Sequence, residues 1–119
     1  GFGLTYTLPA LIGQSNSALM FYTSRRVKGE DALRMGLVDK LVPQDQVRNA
    51  ALSLAKEIAE CSPLGLIATR ATVRGDLAEN VKSAANRELA EQMRLRETED
   101  FAEGVKAVSE RRAANFVSR

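Results

Sequence analysis

Histidine is absent from this 119-residue sequence, and cysteine occurs only once, at Cys61. Without histidine, neither a Ser–His nor a Cys–His nucleophile pair can form, so catalysis would depend on carboxylates, backbone amides or lysine. The usual zinc-binding spacings of cysteine and histidine are also missing, and a lone cysteine excludes an internal disulfide. We predict that Cys61 is a small, buried side chain near a helix end.

The sequence also lacks a long apolar run and a charge excess of either sign. No segment approaches the roughly 18 apolar residues that a membrane span requires, and no basic-then-apolar leader opens the chain. Its 17 basic and 15 acidic residues give a net charge of +2, and they alternate in sign rather than cluster. We therefore expect a soluble, cytoplasmic protein with neither a nucleic acid nor a membrane as partner.

The chain begins Gly-Phe-Gly, with no initiator methionine and no strand-like segment before its first predicted helix. Its length suits one domain or less, with a modest core. These features lead us to expect part of a longer protein.

Apolar spacing and helix-end signals predict a mostly helical chain with six or seven helices and one short strand. The predicted helices cover residues 4–12, 15–22, 30–35, 47–58, 63–73, 77–97 and a last segment that follows Thr98. The apolar residues between Gly36 and Pro43 predict the strand. Pro9 leaves two alternatives for the first helix: it starts near Thr7, whose hydroxyl caps it, or it is kinked.

Several polar residues mark where the later helices begin. Ser62 is predicted to cap a helix that has Pro63 in its first position, and Thr98 is predicted to cap the last helix. Asp76 and Glu79 resemble a capping box, in which two side chains bond reciprocally to backbone amides.

The longest predicted helix carries a narrow apolar stripe on an otherwise charged surface, which requires a partner surface. The stripe consists of Leu77, Val81, Ala85, Leu89 and Met93. Gly104 interrupts the last helix at a cost of about 1 kcal/mol relative to alanine, which indicates close packing at that position.

The carboxylates do not form a convincing acid–base pair. The pairs Glu57–Glu60, Glu88–Glu91 and Glu99–Asp100 lie on predicted helices near basic residues, as in solvated helix faces. Residues 1–5 contain two glycines but lack the preceding strand, the third glycine and the Gly-Lys-Ser/Thr ending of nucleotide loops. Their ordinary role would be a flexible helix start.

Residues 24–43 form a connector whose pattern resembles the segment that follows the active-site helix in the crotonase (enoyl-CoA hydratase/isomerase) family. The matching residues are Gly29, Ala32, Gly36, Leu37, Val38, Val42 and Pro43. The resemblance continues in order along the chain, from the family's G-x-G-G-T-x-x-L motif at residues 1–8 to its closing E-G motif at residues 103–116. Leu4 replaces the second glycine of the first motif, and Ala10 and Ser24 replace a common arginine and glycine.

This resemblance implies the C-terminal helical part of a crotonase-type α/β spiral fold. Residues 1–62 would end the spiral core, and residues 63–119 would form a helical region for trimerisation and capping. The implied assembly is a homotrimer or a dimer of trimers. In the family, the catalytic glutamates and the oxyanion-hole donors precede the position of Gly1, so no catalytic residue is expected within this chain.

The implied function is that of an enoyl-CoA hydratase or isomerase, which stabilises the enolate of an acyl-CoA thioester with two backbone N–H groups. Gly1 and Phe2 would line the acyl pocket, and Arg111 would approach the phosphates of coenzyme A. No cofactor is expected, because coenzyme A is part of the substrate. Without a role in substrate binding, Arg111 and Arg112 would simply be basic residues at the C-terminal end of a helix, where the helix dipole favours positive charge. A catalytically silent helical assembly module is the alternative function.

Overall fold

A computed structural model describes all residues from 1 to 119, and it contains six α-helices, one 3-10 turn and no β-strand. The helices are α1 (Leu4–Thr23), α2 (Gly29–Met35), α3 (Val47–Ala59), α4 (Pro63–Arg74), α5 (Leu77–Leu95) and α6 (Glu99–Glu110), and the 3-10 turn (Gln44–Gln46) precedes α3. The mostly helical prediction is confirmed. None of the helices combines the length and the apolar composition needed to cross a bilayer.

Helix α1 joins the two helices that were predicted on either side of Gly13. Gly13 itself is non-helical, with φ 79° and ψ 162°, which is a conformation that only glycine adopts readily. Beside this break, Asn16 donates its side-chain amide to the carbonyl of Ile12 at 3.0 Å. Helix α1 starts at Leu4 with Pro9 inside it, so the predicted start near Thr7 is wrong, and the break in the helix lies at Gly13 rather than at Pro9. Thr7 donates its hydroxyl to the Gly3 carbonyl and caps nothing.

Three predictions about helix ends can be compared directly with the structure. The Ser62 hydroxyl accepts from the Gly65 amide at 3.5 Å, and the Thr98 hydroxyl accepts from the Phe101 amide at 3.2 Å. Both caps are confirmed. The capping box is wrong, because Asp76 has φ −85° and ψ 18° and its side chain accepts no cap hydrogen bond. A capping side chain normally requires an extended backbone at that residue.

The short strand predicted between Gly36 and Pro43 is also wrong. A strand requires a neighbouring strand for its backbone hydrogen bonds, and residues 1–119 contain no strand. The amide of Leu37 instead donates to the carbonyl of Ala32 at 2.8 Å. Leu41 covers Gly29, where an added Cβ would lie 2.7 Å from Leu41 Cδ1.

The helices form an extended body rather than a compact domain. Only six of the 119 residues are buried, and the radius of gyration is 19.3 Å, against about 14 Å for a compact chain of this length. The buried apolar residues are few: Leu8, Ile12, Ala32 and Ala107. Helices α3 and α4 contain no buried residue, and Cys61 between them is exposed, contrary to prediction. The main helix–helix contact joins α1 to α5.

Candidate functional site: the start of α1 and its support on α5

The opening segment, residues 1–5, has an unusual backbone. Phe2 and Gly3 are consecutive residues in the left-handed region, with φ values of 67° and 75°. A non-glycine residue in this region costs about 1–3 kcal/mol and persists only where the surroundings hold it. The Phe2 ring does not hold it, because Phe2 is 99% exposed. Other residues must therefore fix this conformation.

Glu88, on α5, binds the opening segment with both carboxylate oxygens. Its Oε2 accepts the Gly3 amide at 2.8 Å. Its Oε1 accepts the Thr5 amide at 2.9 Å and the Thr5 hydroxyl at 2.7 Å. The Glu88 side chain is only 9% exposed. One carboxylate thus receives three hydrogen bonds from two residues more than 80 positions away in the sequence.

These hydrogen bonds lower the pKa of Glu88 to about 2. The Thr5 hydroxyl is the largest cause, followed by the Thr5 amide and the Gly3 amide. Amides in the first turn of a helix have no acceptor within the helix, and the positive end of the helix dipole favours an anion. Because α1 has no acidic residue in its own first turn, α5 supplies the carboxylate.

Two further contacts place α5 against α1. An added Cβ on Gly3 would lie 2.7 Å from Val81 Cγ1 and 3.0 Å from the Val81 carbonyl oxygen. Asn80 donates its side-chain amide to the Tyr6 hydroxyl at 3.1 Å. The predicted partner surface for the apolar stripe is therefore α1, but only over the first half of the stripe. Leu89 and Met93 remain 58% and 55% exposed.

Sequence reasoning missed Glu88. It grouped Glu88 with Glu91 as a solvated helix face, which is right for Glu91 alone. Glu91 pairs with Arg94 at 2.9 Å and is 45% exposed. The available signal was the lack of an acidic residue or a polar cap at the start of α1, which left its amides in need of an acceptor from elsewhere.

The three predicted substrate-binding residues fall in two places. Gly1 and Phe2 lie together in the opening segment, where Gly1 is close to the Gln92 side chain on α5. Arg111 lies directly after α6 and ends that helix in the left-handed conformation, with its amide bonded to the carbonyls of Ala107 and Val108. The structure therefore brings Gly1 and Phe2 together and places Arg111 on a different element.

Arg112, the neighbour of Arg111, is fully engaged by carboxylates. Its guanidinium donates to both oxygens of Glu103, at 2.6 and 2.9 Å, and to Glu110 at 2.7 Å. Glu103 also accepts the Asn115 amide at 2.8 Å. The hydrogen bond from Arg112 is the main cause that lowers the pKa of Glu103 to about 2, and the Asn115 amide is the next.

This network fixes the last residues of the chain on α6. The carboxylate of Asp100 accepts the amides of Val117 and Ser118 at 2.6 and 2.9 Å. The ion pairs of this segment use Arg112 and Arg119, which leaves the guanidinium of Arg111 outside them. Of the two adjacent arginines, Arg111 is therefore the one available to an anionic ligand.

An apolar groove runs along α6, and Asp100 and Arg112 of this network also line it. Its volume is about 730 Å³, and it is lined mainly by Phe101, Gly104, Val105, Val108 and Phe116. An added Cβ on Gly104 would lie 3.6 Å from the Phe116 ring, an ordinary van der Waals contact, so the close packing predicted at Gly104 is not found. Acidic residues, by contrast, do not converge: no group of three or more potential metal ligands lies together.

Comparison with known proteins gives one consistent result. A probable enoyl-CoA hydratase of Mycobacterium tuberculosis is 35% identical over 116 residues, which cover 96% of this chain and 41% of the relative. An (E)-benzylidenesuccinyl-CoA hydratase of Thauera aromatica is 37% identical over 98% of this chain and 45% of the relative. The chain thus spans less than half the length of these relatives.

A solved structure agrees with these relatives. The crystal structure of an enoyl-CoA hydratase/isomerase from Pseudoalteromonas atlantica matches 97% of this chain and 46% of its own, with a TM-score of 0.80 and 26% identity. The family model for enoyl-CoA hydratase/isomerase matches residues 1–119. The helices therefore correspond to part of a crotonase fold, and the chain belongs to the enoyl-CoA hydratase/isomerase family.

Proposed function

We propose that this chain is part of an enoyl-CoA hydratase or isomerase that acts on an acyl-CoA thioester. The observation that carries the proposal is the family match over residues 1–119, which begins at the opening segment. Reactions of this type form a thioester enolate, and two backbone N–H groups aimed at the developing oxyanion would stabilise it.

The partners of three carboxylates in this chain indicate that acid–base catalysis is performed by residues outside it. Glu88 is occupied by three hydrogen bonds, and Glu103 and Glu91 are paired with Arg112 and Arg94. An acid–base catalyst must instead reach the proton that it transfers. In the family that the sequence resembles, the catalytic glutamates and oxyanion-hole donors precede the position of Gly1, so we assign no catalytic residue to residues 1–119 and place these groups elsewhere in the full-length protein.

In this proposal the chain binds substrate and supports assembly. Gly1 and Phe2 form part of the acyl pocket wall, and Arg111 contacts the phosphates of coenzyme A, which arginine recognises well. Residues 63–119 provide contacts for a homotrimer or a dimer of trimers, and no cofactor is required beyond the coenzyme A of the substrate.

The role of Arg111 has a sharp test in the full-length product of the gene. Arg111→Ala should raise KM for crotonyl-CoA several-fold, because a phosphate contact is lost. It should leave KM unchanged for crotonyl-pantetheine, which lacks the nucleotide phosphates. Arg48→Ala removes another exposed arginine and serves as the matched control. Equal effects of Arg111→Ala on both substrates would contradict a phosphate contact.

A helical assembly module without activity is the second candidate. It is favoured by the exposure of large apolar side chains such as Leu64, Val73 and Val108, each about four-fifths exposed, because exposed apolar patches mark interaction surfaces. The sequence that the gene encodes just before Gly1 distinguishes the enzyme from the assembly module. A Pro-Glu-containing strand-to-helix segment encoded just before Gly1 favours the enzyme, and its absence favours the module.

A further inference from the structure

Residues outside the opening segment fix its conformation. Its one internal backbone hydrogen bond, from the Leu4 amide to the Gly1 carbonyl, is long at 3.4 Å. Phe2 is in the left-handed region with its side chain exposed, so neither the backbone nor the ring fixes its position. The segment therefore depends on the surface of α5 beneath it.

That surface fixes the segment on two sides. The Glu88 carboxylate binds the amide of Gly3 and both donors of Thr5, while Val81 is packed against the Cα of Gly3 so closely that a methyl group would not fit. Gly3 directly follows Phe2, so a shift of the Gly3 amide would move Phe2 and Gly1 with it. The carboxylate spans residues 3 and 5 and sets the direction from which the chain enters α1.

We propose that Glu88 is a positioning residue that fixes Gly1 and Phe2, through Gly3 and Thr5, in the geometry that the acyl pocket requires. This inference rests on the proposed function, because it gives the support on α5 a role in turnover as well as in folding. Misplacement of a pocket wall by about 1 Å is enough to reduce a rate up to about 100-fold.

The carboxylate is specifically required by the three donors that it faces. A glutamine has one carbonyl oxygen and one NH₂ group in place of the two acceptor oxygens. In either orientation its NH₂ group would face a backbone N–H, of Gly3 or of Thr5. Glu88→Gln therefore keeps the size of the side chain while it leaves one amide without an acceptor and moves the segment.

The experiment uses the full-length product of the gene and the hydration of crotonyl-CoA. We expect Glu88→Gln to lower kcat about 10-fold or more, with a much smaller change in KM. Glu91→Gln, one turn further along α5, is the matched control and should stay within about twofold of the wild type, because Glu91 binds only Arg94.

Thr5 provides a second variant that leaves Glu88 charged. Thr5→Val removes the hydroxyl donor and should also lower kcat, whereas Thr5→Ser keeps the donor and should restore it. Because Glu88 and Thr5 act through one hydrogen-bonded unit, the double variant should be little worse than Glu88→Gln alone. Thr5→Val keeps two of the three hydrogen bonds, so it remains informative if Glu88→Gln does not fold.

Hydrogen exchange of the peptide that covers residues 1–8 gives a readout independent of turnover. Glu88→Gln should speed exchange of the Gly3 and Thr5 amides, and Glu91→Gln should not. An active wild type with equal kcat for Glu88→Gln and Glu91→Gln would overturn the positioning role and leave the proposed function standing. A wild type that neither turns over nor binds the substrate would overturn the proposed function, and the positioning role with it.

Discussion

At the scale of single residues, the Glu88 carboxylate makes stability depend on pH. Its pKa is lowered from 4.5 to about 2 in the folded chain, so its stabilising contribution is complete above about pH 4.5. That contribution is lost as the pH falls toward 2, where the folded carboxyl becomes protonated. We expect Glu88→Gln to reduce the free energy of unfolding at pH 7 and to flatten its decline between pH 5 and 2.

Urea denaturation of the full-length protein at several pH values, followed by circular dichroism, measures this change. Glu91→Gln should have a smaller effect, because the Glu91 carboxylate is half-exposed and exposed ion pairs contribute little. Parallel pH profiles for the wild type and Glu88→Gln would show that the three hydrogen bonds do not stabilise the ionised carboxylate.

Gly3 gives a second prediction at this scale. An alanine there would adopt φ 75° and would meet the backbone oxygen of Val81 at 3.0 Å. The left-handed conformation alone costs a residue with a side chain about 1–3 kcal/mol, and a backbone oxygen cannot rotate away. We expect Gly3→Ala to lower the free energy of unfolding of the full-length protein by about 2 kcal/mol or more, as measured by urea denaturation.

Gly65→Ala is the control for Gly3→Ala. Gly65 lies inside α4, and its nearest neighbour is Ser62 Cβ at 3.5 Å, an ordinary contact. Alanine is the better helix former, so this change should raise the free energy of unfolding by about 0.5–1 kcal/mol. If both glycine variants had the same effect, the close approach of Gly3 to Val81 would not be important.

At the scale of helices, the two observed caps differ in quality. The Thr98 hydroxyl accepts from the Phe101 amide at 3.2 Å and donates to the Leu95 carbonyl at 2.7 Å, whereas the Ser62 hydroxyl makes one bond of 3.5 Å. Thr98→Ala should cost about 1–2 kcal/mol and Ser62→Ala about 0.5 kcal/mol. Thr98→Ser keeps the hydroxyl and should cost least. Urea denaturation of the full-length protein measures these costs, and a larger cost for Ser62→Ala than for Thr98→Ala would contradict the ranking.

The helices themselves were largely predictable, because their signals are local. Ser62 and Thr98 each act within three residues of their own position, and the structure confirms both caps. The strand and the capping box failed for different reasons. A strand needs a partner that a local pattern does not contain, and the Asp76 backbone is not extended. Glu88 was missed because its acceptor role depends on a helix that begins more than 80 residues earlier.

At the scale of the whole molecule, the 119 residues bury too little surface to fold as an ordinary domain. Six residues are buried, and the m-value of unfolding scales with the surface that becomes exposed. We expect the isolated chain to show a broad urea transition with an m-value below about 1 kcal/mol/M. A steep, cooperative transition would show that the helices form a stable unit alone.

The division between residues 1–62 and residues 63–119 remains a prediction at this scale, as does the trimer. The contact that the structure does show joins α1 to α5, one helix from each predicted part. Glu88 is central to that contact, so the opening segment links the proposed pocket to the C-terminal helices. The sequence pattern indicated the family from residues 24–43, but the link itself required the three-dimensional structure.

The central claim is that this chain is a substrate-binding part of an acyl-CoA enzyme whose catalytic groups lie outside it. The most direct test compares crotonyl-CoA hydration by the full-length product of the gene with hydration by the isolated 119 residues, by following loss of the conjugated enoyl thioester. We expect turnover by the full-length protein and none by the isolated chain. Hydration by the isolated chain, or neither turnover nor coenzyme A binding by the full-length protein, would contradict the claim.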